Sequence, residues 1–443
     1  MGYLMETAAL DELLHLLKPQ YRIYGPVKLP GKGRFSDTDL VSYAEIQRSR
    51  DIVFDERSFF SPKEILFPVN QTLFYFTESQ CREPETDERG LLVFLRACDL
   101  EAVKRLDQAL LQTGPYPDSY YQEMRAKTKF ALLECREEFE GCFCASMGTN
   151  ESRDYAFSIR PEHGAYLCDV REDLAGLFSR LGKPRDHEPA FVWEHKNPVR
   201  LPVHPEAFSD HPLWQEYSER CIACGRCNVV CPTCSCFSLQ DIFYDDNPKV
   251  GERRRVWASC QIDGFADLAG GHSYRRDKGE RMRYKVLHKI HHFKEHFGVN
   301  LCVGCGRCDY ACPEYISFSR CVNKLAELED ATEAEADANR LSEPAQEVFA
   351  SNTPAQRIPA PHSVTPSDPA PSMLLPNIPA PSELAIDNFA ADNLAPDNFA
   401  VDNFAPDDPV RVPPEGSGLR ASRGIPRKSD LILTPAEVER DGK

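Results

Sequence analysis

The pattern of hydrophobic and polar positions divides the chain into parts. Residues 6–17 carry apolar side chains at helical spacing, which predicts an amphipathic helix. The short apolar runs at residues 91–95 and 130–133 are typical of buried strands. A polar, proline-rich stretch at residues 184–205 predicts a linker. We therefore expect residues 1–200 to form one mixed α/β domain.

The second half of the chain has two different patterns. Residues 206–327 are dense in cysteine, and residues 279–297 within them have helical composition. Residues 331–443 are rich in Pro, Ala, Asp and Asn, with five-residue repeats such as Asp387-Asn388-Phe389 that fit no helix or strand period. We expect this last segment to be a disordered tail. Whether the tail is dispensable or binds a partner through its repeated Phe stays open.

Composition narrows the class of protein. The chain has 443 residues, and its 52 Lys and Arg against 69 Asp and Glu give a net charge of -17, which argues against a general nucleic-acid binder. A mean hydropathy of -0.46 argues against a spanning helix. Residues 1–16 include acidic side chains and no basic cluster, so we expect no signal peptide and a cytoplasmic location. In the cytoplasm, where disulfides are rare, 18 cysteines favour metal-bound thiolates over disulfides.

Two segments carry the strongest chemical signal. One reads Cys-Ile-Ala-Cys-Gly-Arg-Cys-Asn-Val-Val-Cys-Pro from residue 221, and the other reads Cys-Val-Gly-Cys-Gly-Arg-Cys-Asp-Tyr-Ala-Cys-Pro from residue 302. Both follow C-x2-C-x2-C-x3-C-P, the spacing with which bacterial ferredoxins hold [4Fe–4S] clusters. Gly225 and Gly306 are expected to let each loop turn tightly. A pair of zinc sites is the alternative, although zinc ligands usually come in separated C-x2-C halves.

The fourth cysteine of each motif is predicted to reach the other cluster, as in two-cluster ferredoxins. The first predicted ligand set is Cys221, Cys224, Cys227 and Cys312, and the second is Cys302, Cys305, Cys308 and Cys231. About seventy residues separate the two motifs, so the cluster loops are expected to lie between helices. The predicted fold class is therefore α+β: an N-terminal mixed α/β domain, a helical two-cluster ferredoxin-like domain over residues 206–327, and a disordered tail.

The first domain contains a further group of cysteines: Cys98, Cys135, Cys142 and Cys144. The first two follow predicted strands, and loops after the carboxyl ends of adjacent strands commonly converge. These four thiols can hold a third cluster or remain free and buried, and the sequence leaves both possibilities open. Three cysteines beyond the first motif, Cys234, Cys236 and Cys260, are less decided: packing around the clusters as small buried side chains is the simplest interpretation, and the sequence assigns them no other role.

A basic stretch lies between the two motifs. Its members are Arg253, Arg254, Arg255, Arg275, Arg276, Lys278, Arg281, Arg283, Lys285 and Lys289. On an acidic chain such a stretch can dock an acidic partner or an anionic cofactor, or it can be an ordinary solvated helix face. The sequence contains no G-x-G-x-x-G after a strand and no G-x-x-x-x-G-K-[ST], the motifs of nucleotide sites. This combination favours an electron relay with no catalytic residue of its own.

Several further runs are similar to a known family. They are Arg-Ala-Cys-Asp at 96–99, Cys-Phe-Cys-Ala-Ser-Met-Gly at 142–148, Cys-Pro-Thr-Cys-Ser-Cys-Phe at 231–237, Trp-Ala-Ser-Cys-Gln at 257–261 and Ala-Gly-Gly-His at 269–272. Together with the paired motifs they resemble the iron–sulfur electron-transfer subunit of anaerobic sulfite reductase and, more distantly, the β subunit of sulfhydrogenase. The resemblance covers roughly residues 1–325, and the repeat-bearing tail departs from the family pattern.

This resemblance implies a cytoplasmic complex of three subunits. A flavin subunit takes a hydride from NADH, the present chain relays single electrons through its clusters, and a subunit carrying sirohaem reduces sulfite to sulfide. The cysteines named above are then ligands and not catalytic groups. The alternative is an electron-transfer β subunit of a sulfhydrogenase or NiFe hydrogenase complex. A metal-bound interaction module without a redox role is a third possibility.

Overall fold

The computed structural model describes residues 1–342 except 34, 36, 195, 197, 245 and 246. The strands are β1 (Gly2–Glu6), β2 (Tyr21–Leu29), β3 (Leu40–Glu45), β4 (Asn70–Phe76), β5 (Cys81–Arg82), β6 (Gly90–Leu95), β7 (Thr128–Leu133), β8 (Phe157–Glu162), β9 (Ala165–Asp169), β10 (Lys183–Pro184), β11 (Phe237–Tyr244), β12 (Asn247–Trp257), β13 (Asp267–Leu268) and β14 (His272–Ser273). The α-helices are α1 (Thr7–Leu17), α2 (Lys63–Leu66), α3 (Ala97–Asp107), α4 (Ser119–Ala126), α5 (Glu172–Leu181), α6 (Leu213–Arg220), α7 (Arg226–Val229), α8 (Lys278–Leu287), α9 (Phe293–Phe297), α10 (Arg307–Ala311) and α11 (Phe318–Ser342).

An eight-stranded sheet forms the centre of the first half of the chain. Its strand order is β10-β1-β9-β8-β7-β6-β2-β3. The four central strands, β8, β7, β6 and β2, pair in parallel, whereas the outer pairs are antiparallel. The two apolar runs predicted as buried strands lie in β6 and β7, so both predictions are confirmed. Central parallel strands are apolar along their length because helices cover both faces of the sheet.

Helices pack on both faces of this sheet. Along β6, Leu92 and Phe94 enter one core together with α1 and α5, while Val93 and Leu95 enter the other core together with α3 and α4. This division follows from the alternation of side chains along a strand. In α1 the buried positions are Leu10, Leu13, Leu14 and Leu17. They lie on one helical face, which confirms the predicted amphipathic helix.

A second sheet joins segments from both halves of the chain. It is antiparallel with the order β11-β12-β4-β5, so strands from the cysteine-dense half pair with strands from the first half. The described residues fall within one compact unit. The two separate domains predicted over residues 1–200 and 206–327 therefore stay a prediction.

The cysteine-dense half packs mainly through helices. Its core includes Trp214, Met282, Val286 and Val322, from α6, α8 and α11. The helix predicted over residues 279–297 is confirmed, because α8, a π-helical turn at His288–His292 and α9 follow one another without a break. Among the described helices, none is both long enough and apolar enough to cross a membrane.

Helix α11 corrects the predicted start of the tail. The helix spans Phe318–Ser342 and so includes residues 331–342, which the sequence assigned to the disordered segment. These residues are rich in Ala and Glu, which are strong helix formers, and they continue a helix that is already anchored in the core. The remainder of the predicted tail, with its five-residue repeats, lies outside the described residues.

Candidate metal centre

The two cysteine motifs fold into the same local structure. Gly225 has a φ of 71° and Gly306 a φ of 69°, and each directly precedes a short helix, α7 or α10. Only glycine adopts this left-handed conformation without strain, so the predicted tight turns are confirmed. Each turn brings the third cysteine of its motif back towards the first two.

Backbone amides donate to cysteine sulfurs at equivalent positions of the two motifs. The N–H of Ala223 lies 3.4 Å from Cys221 Sγ, and the N–H of Gly304 lies 3.5 Å from Cys302 Sγ. A third amide, that of Ile316, lies 3.3 Å from the sulfur of the residue four positions earlier, Cys312. Such donors stabilise the charged thiolate, and they shift the reduction potential of a metal centre that the thiolate binds.

The first predicted ligand set lines a single cavity of about 550 Å³. Its four thiols are Cys221, Cys224, Cys227 and Cys312, and the thiol of Cys308 borders the same space. The loop that carries this set lies at the surface, because Ile222 is 56% exposed and Cys224 is also exposed. The structure therefore brings these four side chains together close to solvent.

The second predicted set lines an adjoining cavity of about 340 Å³. Its four thiols are Cys231, Cys302, Cys305 and Cys308. Both Cys231 and Cys305 are buried, so this cavity lies deeper than the first. Burial raises the pKa of Cys302 to about 12, although Lys289 and the amide of Gly304 partly offset the rise, so a bound metal is what would ionise this thiol at neutral pH. The two cavities adjoin because Cys308 borders both.

Two buried lysines supply positive charge at these cavities. Lys285 borders both of them and Lys289 borders the second, and the two residues are 4% and 3% exposed. Within the described part of the chain, neither forms an ion pair with a carboxylate. Burial opposes the charge of each lysine, yet neighbouring thiols, Cys227 for Lys285 and Cys231 for Lys289, raise both pKa values. Buried cations surrounded by thiols, with no carboxylate partner among the described residues, fit an anionic group such as a thiolate-bound iron–sulfur cluster.

The basic stretch is thus explained differently from either sequence interpretation. Lys285 and Lys289 are neither on a solvated face nor on a docking surface, because their side chains point into the thiol-lined interior. In β12, Arg253 pairs with Asp241 at 2.7 Å through two nitrogens. Next to it, Arg255 contacts Asp118 and donates to Gln71 Oε1 at 2.6 Å. Much of the positive charge in this stretch is therefore neutralised within the protein.

The four cysteines of the first domain meet at the edge where the parallel strands β6 and β7 end. Cys144 interacts electrostatically with Cys142, Cys135 and Cys305, and Cys98 packs against Cys144 and Cys305. The structure thus places this thiol group beside the second cavity, as strand-end convergence predicts.

Arginine side chains accompany the thiols of the first domain. Arg96 Nη1 lies 3.6 Å from Cys135 Sγ, and Arg57 Nη1 lies 3.6 Å from Cys142 Sγ. Burial raises the pKa of the Cys135 thiol, and the positive charge of Arg96 partly offsets that rise. This thiol group therefore also combines sulfur with positive charge.

A buried ion pair fixes the second motif against the first domain, and the sequence analysis missed it. Arg307 donates to both carboxylate oxygens of Asp99, at 2.6 and 2.9 Å, and its Nε donates to the carbonyl oxygen of Ser58 at 3.0 Å. Both side chains are essentially inaccessible to water. Asp99 belongs to the Arg-Ala-Cys-Asp run and Arg307 to the second motif, but no spacing rule connects positions so far apart.

If the two cavities hold iron–sulfur clusters, replacing Lys285 by methionine is expected to lower their reduction potentials by about 100 mV. The lysine favours the more negative, reduced form, since a unit charge about 6 Å away at an effective dielectric constant of about 20 contributes about 3 kcal/mol. A potentiometric titration followed by electron paramagnetic resonance measures the shift. Lys294→Met is the matched control, because Lys294 is exposed on the same helical run. Equal potentials in the two variants would contradict this role.

Comparisons with known proteins agree with the geometry. Residues 220–316 match the sequence model of the 4Fe-4S dicluster domain family. Over 345 residues the chain is 27% identical to sulfhydrogenase 2 subunit beta of Pyrococcus furiosus, an alignment that covers 71% of this chain and 96% of that protein. No solved structure gives a significant match. The chain therefore carries a 4Fe-4S dicluster domain, and its resemblance to a sulfhydrogenase β subunit is confirmed.

Proposed function

We propose that this chain is the iron–sulfur electron-transfer subunit of a multi-subunit oxidoreductase. The observation that carries the proposal is the pair of adjoining thiol-lined cavities with the buried Lys285 between them. Iron–sulfur clusters held there supply transfer of one electron at a time. The sequence contains no nucleotide-site motif, which is consistent with a relay.

The chain's own residues have defined tasks in this proposal. The crossed ligand sets hold the clusters: Cys221, Cys224, Cys227 and Cys312 at the outer cavity, and Cys302, Cys305, Cys308 and Cys231 at the inner cavity. Lys285 and Lys289 compensate negative charge in the interior, and the motif amides orient and polarise the sulfurs. The exposed Ile222 and Cys224 leave the outer cavity close to a surface that a redox partner can approach.

We also propose that the first-domain thiols hold a third cluster. Support comes from the position of Cys98 and Cys144 against Cys305 and from the arginines next to Cys135 and Cys142. Replacing Cys135 and Cys142 together by alanine is expected to remove about four irons per chain and leave both motif clusters intact. Cys168→Ala is the control, because Cys168 is buried in the sheet core and borders none of these cavities. Iron content equal to that of the control would exclude the third cluster.

Two partner sets are candidates for the complex. The similarity to sulfhydrogenase 2 subunit beta favours a hydrogenase-type complex. The sequence runs shared with the iron–sulfur subunit of anaerobic sulfite reductase favour a flavin subunit that takes electrons from NADH together with a sirohaem subunit that reduces sulfite to sulfide. In either complex the present chain is expected to be non-catalytic, because its cysteines serve as ligands.

Anaerobic affinity purification from the native cell distinguishes the partner sets. Co-purified nickel is expected for a hydrogenase-type complex, whereas the absorption bands of sirohaem are expected for a sulfite reductase. Bound flavin supports an electron-donating subunit in both cases. The relay itself is tested by adding dithionite, which should bleach the iron–sulfur absorption. A chromophore that does not change on reduction would contradict electron transfer and favour an interaction module.

A further inference from the structure

Three cysteines outside both motif sets meet at the base of a β-hairpin. Strands β11 and β12 pair with Phe237 opposite Trp257, so the residues just before and just after the hairpin become neighbours. The N–H of Ala258 donates to the carbonyl oxygen of Cys236 at 2.9 Å, and the side chains of Cys236 and Cys260 are in hydrogen-bond contact. Together with Cys234 they line a cavity of about 500 Å³, similar in size to the outer motif cavity.

Buried amide side chains point at one of these sulfurs. Asn228 Nδ2 lies 3.1 Å from Cys260 Sγ, and Gln261 Nε2 lies 3.6 Å from it. Asn228 is 2% exposed and Gln261 is 3% exposed. Donors of this kind accompany metal-bound thiolates and stabilise their charge. A merely space-filling cysteine does not require two buried amides.

Positive charge surrounds the same cavity. Lys285, Lys289 and Arg275 line it, and its described lining contains no Asp or Glu. Lys289 Nζ donates to Thr233 Oγ1 at 2.9 Å, and Arg275 Nε is buried without a hydrogen-bond partner in the described part of the chain. Lys63, which is 4% exposed, approaches from the first domain and donates to the carbonyl oxygen of Cys234 at 2.7 Å. Such an arrangement fits an anionic occupant bound through sulfur.

We propose that Cys234, Cys236 and Cys260 hold a further iron–sulfur cluster, in addition to those of the two motifs. Cys236 and Cys260 are in contact and Cys234 borders the same cavity, but nowhere in the described residues do three Cys, His, Asp or Glu side chains converge as ligands of a single ion do. A polynuclear cluster, whose irons bind separate thiolates, suits this spacing better than one zinc ion. The site goes beyond the proposed relay, since the sequence interpretation left the role of these cysteines undecided.

The test compares the full chain carrying Cys236→Ala and Cys260→Ala with the Cys168→Ala control, all purified anaerobically. The double variant is expected to lose about three to four irons per chain and the matching acid-labile sulfide. The resonance signals of the motif clusters are expected to stay, which separates this inference from the electron-transfer proposal. Iron and sulfide equal to the control, or loss of zinc without sulfide, would overturn the inference.

A second measurement needs no variant and covers the case in which the double variant fails to fold. In the wild-type chain Cys234, Cys236 and Cys260 are expected to resist iodoacetamide until the clusters are removed with a chelator and an oxidant, and to react afterwards. Cys168 is expected to stay protected in both states, which shows that the fold persists. Peptide mass spectrometry measures the extent of labelling at each of these cysteines. Equal labelling of the three thiols before and after removal, with Cys168 still protected, would contradict a cluster at this cavity.

Discussion

Replacing Asp99 by alanine is expected to lower the free energy of unfolding by about 3–5 kcal/mol. The substitution leaves Arg307 charged in a site that is sealed from water, where its other hydrogen-bond partners among the described residues are the two oxygens of Ser58. A buried charge without its partner loses its hydration and gains little in return. Because Arg307 lies inside the second motif, between Cys305 and Cys308, the variant is also expected to lose iron from the inner site more readily.

The measurement is anaerobic urea unfolding followed by circular dichroism, with iron content determined on the same samples. Glu45→Ala is the matched control, because Glu45 pairs with Arg22 at 3.3 Å while both side chains are more than a third exposed. Exposed pairs contribute about 0–1 kcal/mol, so this control should unfold nearly as the wild type does. A stability loss for Asp99→Ala no larger than that of the control would show that the ion pair does not fix the motif.

Replacing Cys312 by alanine is expected to disrupt the outer cluster and to leave the inner cluster in place. Cys312 is the last cysteine of the second motif, yet its side chain lines the cavity of Cys221, Cys224 and Cys227. Loss of one thiolate from a four-cysteine site should change the resonance spectrum and remove up to about four irons. The effect is therefore expected in the cluster whose other ligands lie about ninety residues earlier in the chain.

Two reference variants distinguish the crossed ligand sets from uncrossed ones. Cys224→Ala gives the reference spectrum for a damaged outer cluster, and Cys305→Ala gives the reference spectrum for a damaged inner cluster. The spectrum of Cys312→Ala should match the first reference and differ from the second. Cys321→Ala controls for loss of a buried thiol on the neighbouring helix α11, where Cys321 packs in the helical core. A match to the Cys305 variant would overturn the crossed ligand sets.

Local features of the fold were predictable because their causes are local. The leucine spacing of α1, the apolar runs of β6 and β7 and the glycines of the two motifs all act within a few residues. The α+β class followed from these elements. The end of the helical region was misplaced, because α11 extends through Ala- and Glu-rich residues that the sequence analysis grouped with the tail.

The motif cysteines were predictable, whereas the charges around them were not. A fixed spacing between cysteines reflects the size of a cluster, and a single loop can meet that requirement. The pairing of Asp99 with Arg307, by contrast, depends on how distant segments pack, and no short pattern contains that information. Lys285 and Lys289 were recognised as basic, but only the orientation of α8 and the following π-helical turn shows that they point inward.

The central claim is that sulfurs from the two motifs hold iron–sulfur clusters. Quantifying iron and acid-labile sulfide in the anaerobically purified chain, with resonance spectra before and after dithionite, tests it most directly. We expect at least about eight irons with equal sulfide and new paramagnetic signals on reduction, and about four irons more if the first-domain thiols also hold a cluster. Zinc without sulfide, in a protein that stays colourless and shows no signal after reduction, would contradict the account.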